Sequence, residues 1–115
     1  MGMTHPHLQV LRNLDCDESA DVGVAAPVRM YSLIAFNNAA AVMYLKLYNT
    51  AVAATVGTTT PFMTIPLAAK GTLQLTWPEG IFFSTGISPG ASTGVADADT
   101  GAPAANDVIV NIMYA

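Results

Sequence analysis

The sequence predicts an all-β fold, an antiparallel β-sandwich of jelly-roll-like form with an extended N-terminal arm. Three observations predict it. Short runs rich in β-branched and aromatic residues recur from Val28 to the last residue, with turn signals roughly every 8 to 12 residues. No stretch after residue 24 carries a convincing helical period. The chain has 115 residues, 52% of them hydrophobic and only 10% charged, which suits one apolar core rather than two.

Residues 1–24 read as the arm. They hold both histidines and the acids Asp15, Asp17, Glu18 and Asp21, and their apolar positions Leu8, Val10, Leu11 and Leu14 follow neither period. The sandwich is expected over residues 25–115. VRMYSLIAFN (28–37) is a strand by composition and ends at a turn, Asn37-Asn38. AVMYLKLYN (41–49) follows at hairpin distance, with Val42, Tyr44, Lys46 and Tyr48 on one face and Met43, Leu45 and Leu47 on the other. A loop of small residues spans 51–57. TTTPFMTIPL (58–67) carries Pro61 and Pro66, which cannot donate to a ladder, so this strand belongs at an edge or is bulged. Lys70-Gly71 is a turn. TLQLTW (72–77) alternates cleanly, with Leu73, Leu75 and Trp77 inward. Pro78-Glu79-Gly80 reads as a second turn, and IFFSTGIS (81–88) as a kinked strand or a short pair. On a regular strand Phe82 and Phe83 cannot both face inward. Residues 89–107 form a long loop of small, Gly, Pro and Asp residues, and DVIVNIMYA (107–115) closes the fold. That last strand is apolar on both faces, Ile109 and Met113 lying opposite Val108, Val110, Ile112 and Tyr114, so cover on both sides is expected.

Composition narrows the function. The charge is −4, and the four cations Arg12, Arg29, Lys46 and Lys70 are scattered. Phosphate binding draws its affinity from clustered cations, so no nucleic-acid partner is expected. The mean hydropathy is +0.43, yet no window reaches the roughly 18 apolar residues of a membrane helix. The richest run, Ala39–Leu45, stops at Lys46, and no membrane partner is expected. MGMTHPHLQV has neither a basic start nor a long apolar run, so a secretory signal is not expected either.

No catalytic constellation assembles from the residues. His5 and His7 are the only imidazoles, and Cys16 stands between Asp15 and Asp17, where negative charge disfavours a thiolate. These three side chains match no known metal-ligand spacing, and no metal or cofactor is expected. ADADTG (96–101) begins like a calcium loop at Asp97 and Asp99, but the twelfth position is Val108 instead of a glutamate. Glu79, in its turn, reads as a hydrated carboxylate rather than a glycosidase acid. Tyr44 and Tyr48, flanking Lys46, are candidates for an exposed patch, while Trp77 reads as core.

Several segments taken as a series point to a family. RNLDCDESADV (12–22), AVMYLKLYN (41–49), VGTTTPFMTIPL (56–67), GIFFSTGIS (80–88) and GVADADTGAPAANDVIVNIMYA (94–115) resemble small tailed-phage and prophage virion proteins of the capsid decoration (cement) or head-fibre type. The resemblance covers most of the chain and carries no catalytic pattern. It implies a structural role on the capsid outer surface, binding to the major capsid protein, and a homo-oligomer, expected as a trimer. On this reading Leu8, Val10, Leu11 and Leu14 dock the arm on a neighbouring subunit or on the major capsid protein, and Met43, Tyr44, Tyr48, Phe83 and Met113 form the oligomer interface. The alternative expectation is a receptor- or carbohydrate-binding sandwich module of a tail or fibre, which needs an exposed aromatic platform.

Overall fold

The computed structural model describes residues 7–115; the histidine at position 5 lies outside them. Seven strands form the fold: β1 (Gln9–Asn13), β2 (Val28–Asn37), β3 (Met43–Tyr48), β4 (Met63–Leu67), β5 (Thr72–Phe83), β6 (Ser88–Ser92) and β7 (Val108–Tyr114). They make two antiparallel sheets, a four-stranded one ordered β1-β7-β2-β5 and a three-stranded one ordered β4-β3-β6. The chain is an all-β sandwich.

Its topology is that of a jelly roll short of one strand. An eight-stranded jelly roll orders its sheets 1-8-3-6 and 2-7-4-5. Removing the second strand and renumbering gives the two orders of this chain. Residues 17–24 run where that strand would lie, along the open side of β6. Ala91 N donates to Asp17 O (2.7 Å), Asp21 N to Pro89 O (3.1 Å) and Gly23 N to Ile87 O (3.0 Å), while Val24 and Ile87 exchange both their bonds. The edge of β6 is covered without a regular strand being added, which is one way to protect an open edge.

Residues 7–24, the described part of the segment read as an arm, are therefore extended but rest on their own sandwich. β1 pairs with β7 along its whole length. Leu11, opposite Ile112, packs against the core, and Cys16, Ala20 and Val24 are buried. Burial of these side chains offsets the entropy of ordering the segment.

The core sits between the sheets. Met30, Leu33 and Ala35 of β2 meet Leu45 and Leu47 of β3, Ile65 and Leu67 of β4, Phe83 of β5 and Val108, Val110 and Ile112 of β7. Asn37 ties the sheets together at one end. Its side-chain amide donates to the carbonyls of Ala41, Leu67 and Ala68, and its oxygen accepts from Ala39 N, all within 2.9–3.2 Å.

Three local expectations change. Pro78-Glu79-Gly80 is a bulge rather than a turn: Thr76 pairs with Ser32 and Ile81 with Met30, so residues 77–80 stand opposite Tyr31 alone. Gly80 takes the positive φ (77°) that the motif anticipates. The loop expected over 89–107 begins only at Thr93, because Ser88–Ser92 is a buried strand despite its Pro and Gly. Its small side chains let residues 17–20 and Val56 close over it; a Cβ on Gly90 would stand 3.0–3.2 Å from Val56 and Ala20. Finally, Tyr48 and Lys46 face away from the core yet are fully buried. Ala20 and Val56 cover Tyr48, and the Lys46 ammonium donates to Ala96 O (2.6 Å) in the following loop.

Candidate functional site: the outer face of the four-stranded sheet

Most of the residues expected at an oligomer interface lie inside. Tyr48 and Phe83 have no exposed surface and Met43 keeps 7%. Met43 belongs to the inward phase of β3, and Phe83 pairs with Val28 and packs edge-on against Phe62 at 5.0 Å. Met43 and Phe83 are consumed by the core and Tyr48 by the cluster beneath Ala20 and Val56, so none of the three is open to a partner. Tyr44 and Met113 are half-buried, whereas Leu8, Val10 and Leu14 are exposed.

What the fold does present is one apolar stripe. On the outer face of the four-stranded sheet, Val10 of β1 stands opposite Met113 of β7, and Ile109 of β7 opposite Phe36 of β2. Ile34 of β2 lies between them, opposite Asn111 and Gln74. Val10 is 59% exposed, and the other four are half-buried, with no further strand or sheet over them among the described residues. Thr72, Gln74 and Thr76 of β5 continue the face without charge. Arg12, opposite Asn111, is its charged member near the stripe. Seven of the eight acids sit in connections, and the last, Glu79, is in the bulge. An antiparallel sheet with a wet outer face normally carries polar residues there. The double-sided apolar pattern of 107–115 was the legible signal, and among the described residues its outer side chains Ile109 and Met113 are only partly covered. Ile34 and Phe36 were not singled out, because their opposition to Asn111 and Ile109 depends on strand order.

Two concavities accompany the face. A groove of about 650 Å³ runs between β1 and residues 14–23, lined by Arg12, Asp15, Asp17 and Asp21 among others. Its acids serve the fold: Asp15 accepts from Asn106 N, Asp17 from Ser19 N and Asp21 from the Asn13 amide. Cys16, beside them, is buried, and burial first, then Asp21, Asp17 and Asp15, pushes its thiol far above the usual range. Such a thiol is a poor nucleophile and a poor ligand. Among the described residues no three His, Cys, Asp or Glu side chains are placed to hold a metal. Asp99 spends a carboxylate oxygen on Gly94 N (3.2 Å) and Gly101 N (2.8 Å), fixing the loop that had resembled a calcium site. The second hollow, about 480 Å³, lies at the bulge and is lined by Trp77, Pro78, Glu79 and Gly80.

No protein-family model matches the chain, and neither a curated protein nor a solved structure matches it.

Proposed function

We propose that the chain is a phage virion structural protein, a capsid decoration or cement protein on the outer surface of the head. It associates with copies of itself, as a trimer, and binds the major capsid protein. The observation that carries this reading is the partly exposed apolar stripe of Val10, Ile34, Phe36, Ile109 and Met113. The sequence resemblance and the low share of charged residues support it. If each of two faces buries roughly 300 Å² of apolar surface, about 15 kcal/mol is gained gross at ~25 cal/mol/Å². Association costs about 4 to 15 kcal/mol, so one such contact is marginal by itself. Several contacts made together on a symmetric shell raise the avidity without new chemistry.

The test joins light scattering to co-sedimentation with empty phage heads. Ile109→Lys together with Met113→Lys leaves the far-ultraviolet spectrum unchanged and abolishes self-association and head binding. A wild-type chain that stays monomeric at millimolar concentration and pellets with no head overturns the reading. The carbohydrate-binding alternative is favoured by one feature, the hollow beside Trp77, which is independent of the stripe.

A further inference from the structure

We propose that the bulge Trp77–Gly80 is a binding site for a neutral saccharide, a site that does not depend on the virion reading. The bulge is unusual in its size. Residues 77–80 stand opposite the single residue Tyr31, so the edge strand β5 swells away from the sheet and opens the hollow. Bulges re-aim side chains and concentrate next to binding sites.

The parts are held firmly. Trp77 is half-buried, packed against the core in phase with Leu73 and Leu75, and it also lines the hollow. Gly80, at φ 77°, lets the chain pass close under Tyr31; a Cβ there would stand 3.0 Å from Arg29 Cβ and 3.1 Å from the Tyr31 ring. Beyond Gly80, the Arg29 guanidinium sits 5.3 Å from the centre of the Phe82 ring. Glu79 is exposed, lines the same hollow as Trp77 and is the sole acid within any of the seven strands.

An aromatic face and a carboxylate in one hollow suit a hexopyranose. The C–H face of the sugar lies on the indole, an apolar surface with a polar edge. Two neighbouring hydroxyls donate to the Glu79 oxygens, and bonds to an ionised acceptor are the stronger kind. The same carboxylate disfavours uronic and sialic acids by like-charge repulsion. A hollow of about 480 Å³ holds one or two hexose units. Its open shape implies weak binding at a single site.

Trp77 is the only tryptophan, so the intact chain reports on its own site. Titrating a panel of neutral hexoses and their oligomers while following indole fluorescence gives a saturable shift for at least one member. Sialyllactose and galacturonic acid give at least tenfold weaker binding. Glu79→Gln, a surface change that leaves the core intact, weakens the neutral ligand at least fivefold. Trp77→Ala abolishes binding, and Trp77→Phe, which keeps the core filled, retains part of it. No saturable shift with any neutral saccharide overturns the proposal. So does binding that Glu79→Gln and Glu79→Lys leave unchanged, or equal affinity for the acidic sugars.

Discussion

Replacing Asn37 with alanine tests whether one buried amide closes the end of the sandwich. Asn37 has no exposed surface and joins the last residue of β2 to the carbonyls of Ala41, Leu67 and Ala68 and to the amide of Ala39. Its NH₂ group has two hydrogens for three carbonyls, so one of these bonds is shared. The set is worth roughly three full bonds at about 1 kcal/mol net each, and the buried Ala39 amide left without its acceptor adds about 1 kcal/mol. Asn37→Ala should therefore cost about 3 to 4 kcal/mol. For a chain of this size that lowers Tm by roughly 12 to 16 °C, read by far-ultraviolet circular dichroism and by urea titration. Asn37→Asp separates the amide's role from side-chain volume. The aspartate retains an acceptor for Ala39 N but turns an oxygen toward three carbonyls. It should cost at least as much as alanine at neutral pH. Burial beside carbonyls raises the new carboxyl above its unfolded value, so stability is recovered on acidification and lost as pH rises through the raised value. A loss below about 1 kcal/mol for alanine, or wild-type stability of the aspartate variant at pH 7, refutes the clamp.

Two further outcomes follow from groups buried on the other sheet and beneath β1. The Tyr48 hydroxyl is buried without a partner among the described residues, and burial first, then Asp97 and Cys16, pushes it above its ordinary value. Tyr48→Phe should thus stabilise the fold by about 1 kcal/mol, seen as a higher urea midpoint; a lower midpoint shows that the hydroxyl has a partner, such as a trapped water. The Cys16 thiol should resist Ellman's reagent in the native chain and react at once in urea. Because its folded value lies above its unfolded one, the unfolded chain ionises first. Stability conferred by the neutral thiol is whole below about pH 8.5 and declines as the solution becomes more alkaline. Cys16→Ala should flatten that alkaline decline, and an unchanged slope removes Cys16 as its source.

How much of this was legible in the sequence depends on where each side chain's environment comes from. β2, β3, β5 and β7 were readable because their inward residues alternate with a period of two and the strand neighbour does not alter that phase. The edge position of β4 was readable from Pro66, which pairs with Tyr44 at the sheet's margin. β6 was not readable: Ser-Pro-Gly-Ala-Ser has no strand propensity, and it is a strand because Leu47, Tyr48 and residues 17–24 supply its partners from elsewhere in the chain. Lys46 and Tyr48 show the same limit from the other direction. Their phase on β3 was read correctly as outward, but outward meant beneath a loop, and only the fold brings Val56, Ala20 and Ala96 over them.

The same distinction bears on the functional reading. The expectation that apolar surface exceeds what one sandwich can hide came from composition and from the double-sided pattern at 107–115. Met43, Tyr48 and Phe83 were assigned to that surplus and are instead buried, the first and last in the core and Tyr48 beneath Ala20 and Val56. The surplus did not vanish with them. It reappears as Ile34, Phe36, Ile109 and Met113, placed together only because β7 crosses between β1 and β2 in this topology. A jelly roll in which β7 lay at an edge would have left the same residues scattered, each too small a patch to dock anything. Central placement of the one strand that is apolar on both sides gathers a compositional excess onto one face, with Asn111 between Ile109 and Met113. For that reason the double lysine substitution at Ile109 and Met113, rather than any change in β3, is the one that separates assembly from folding.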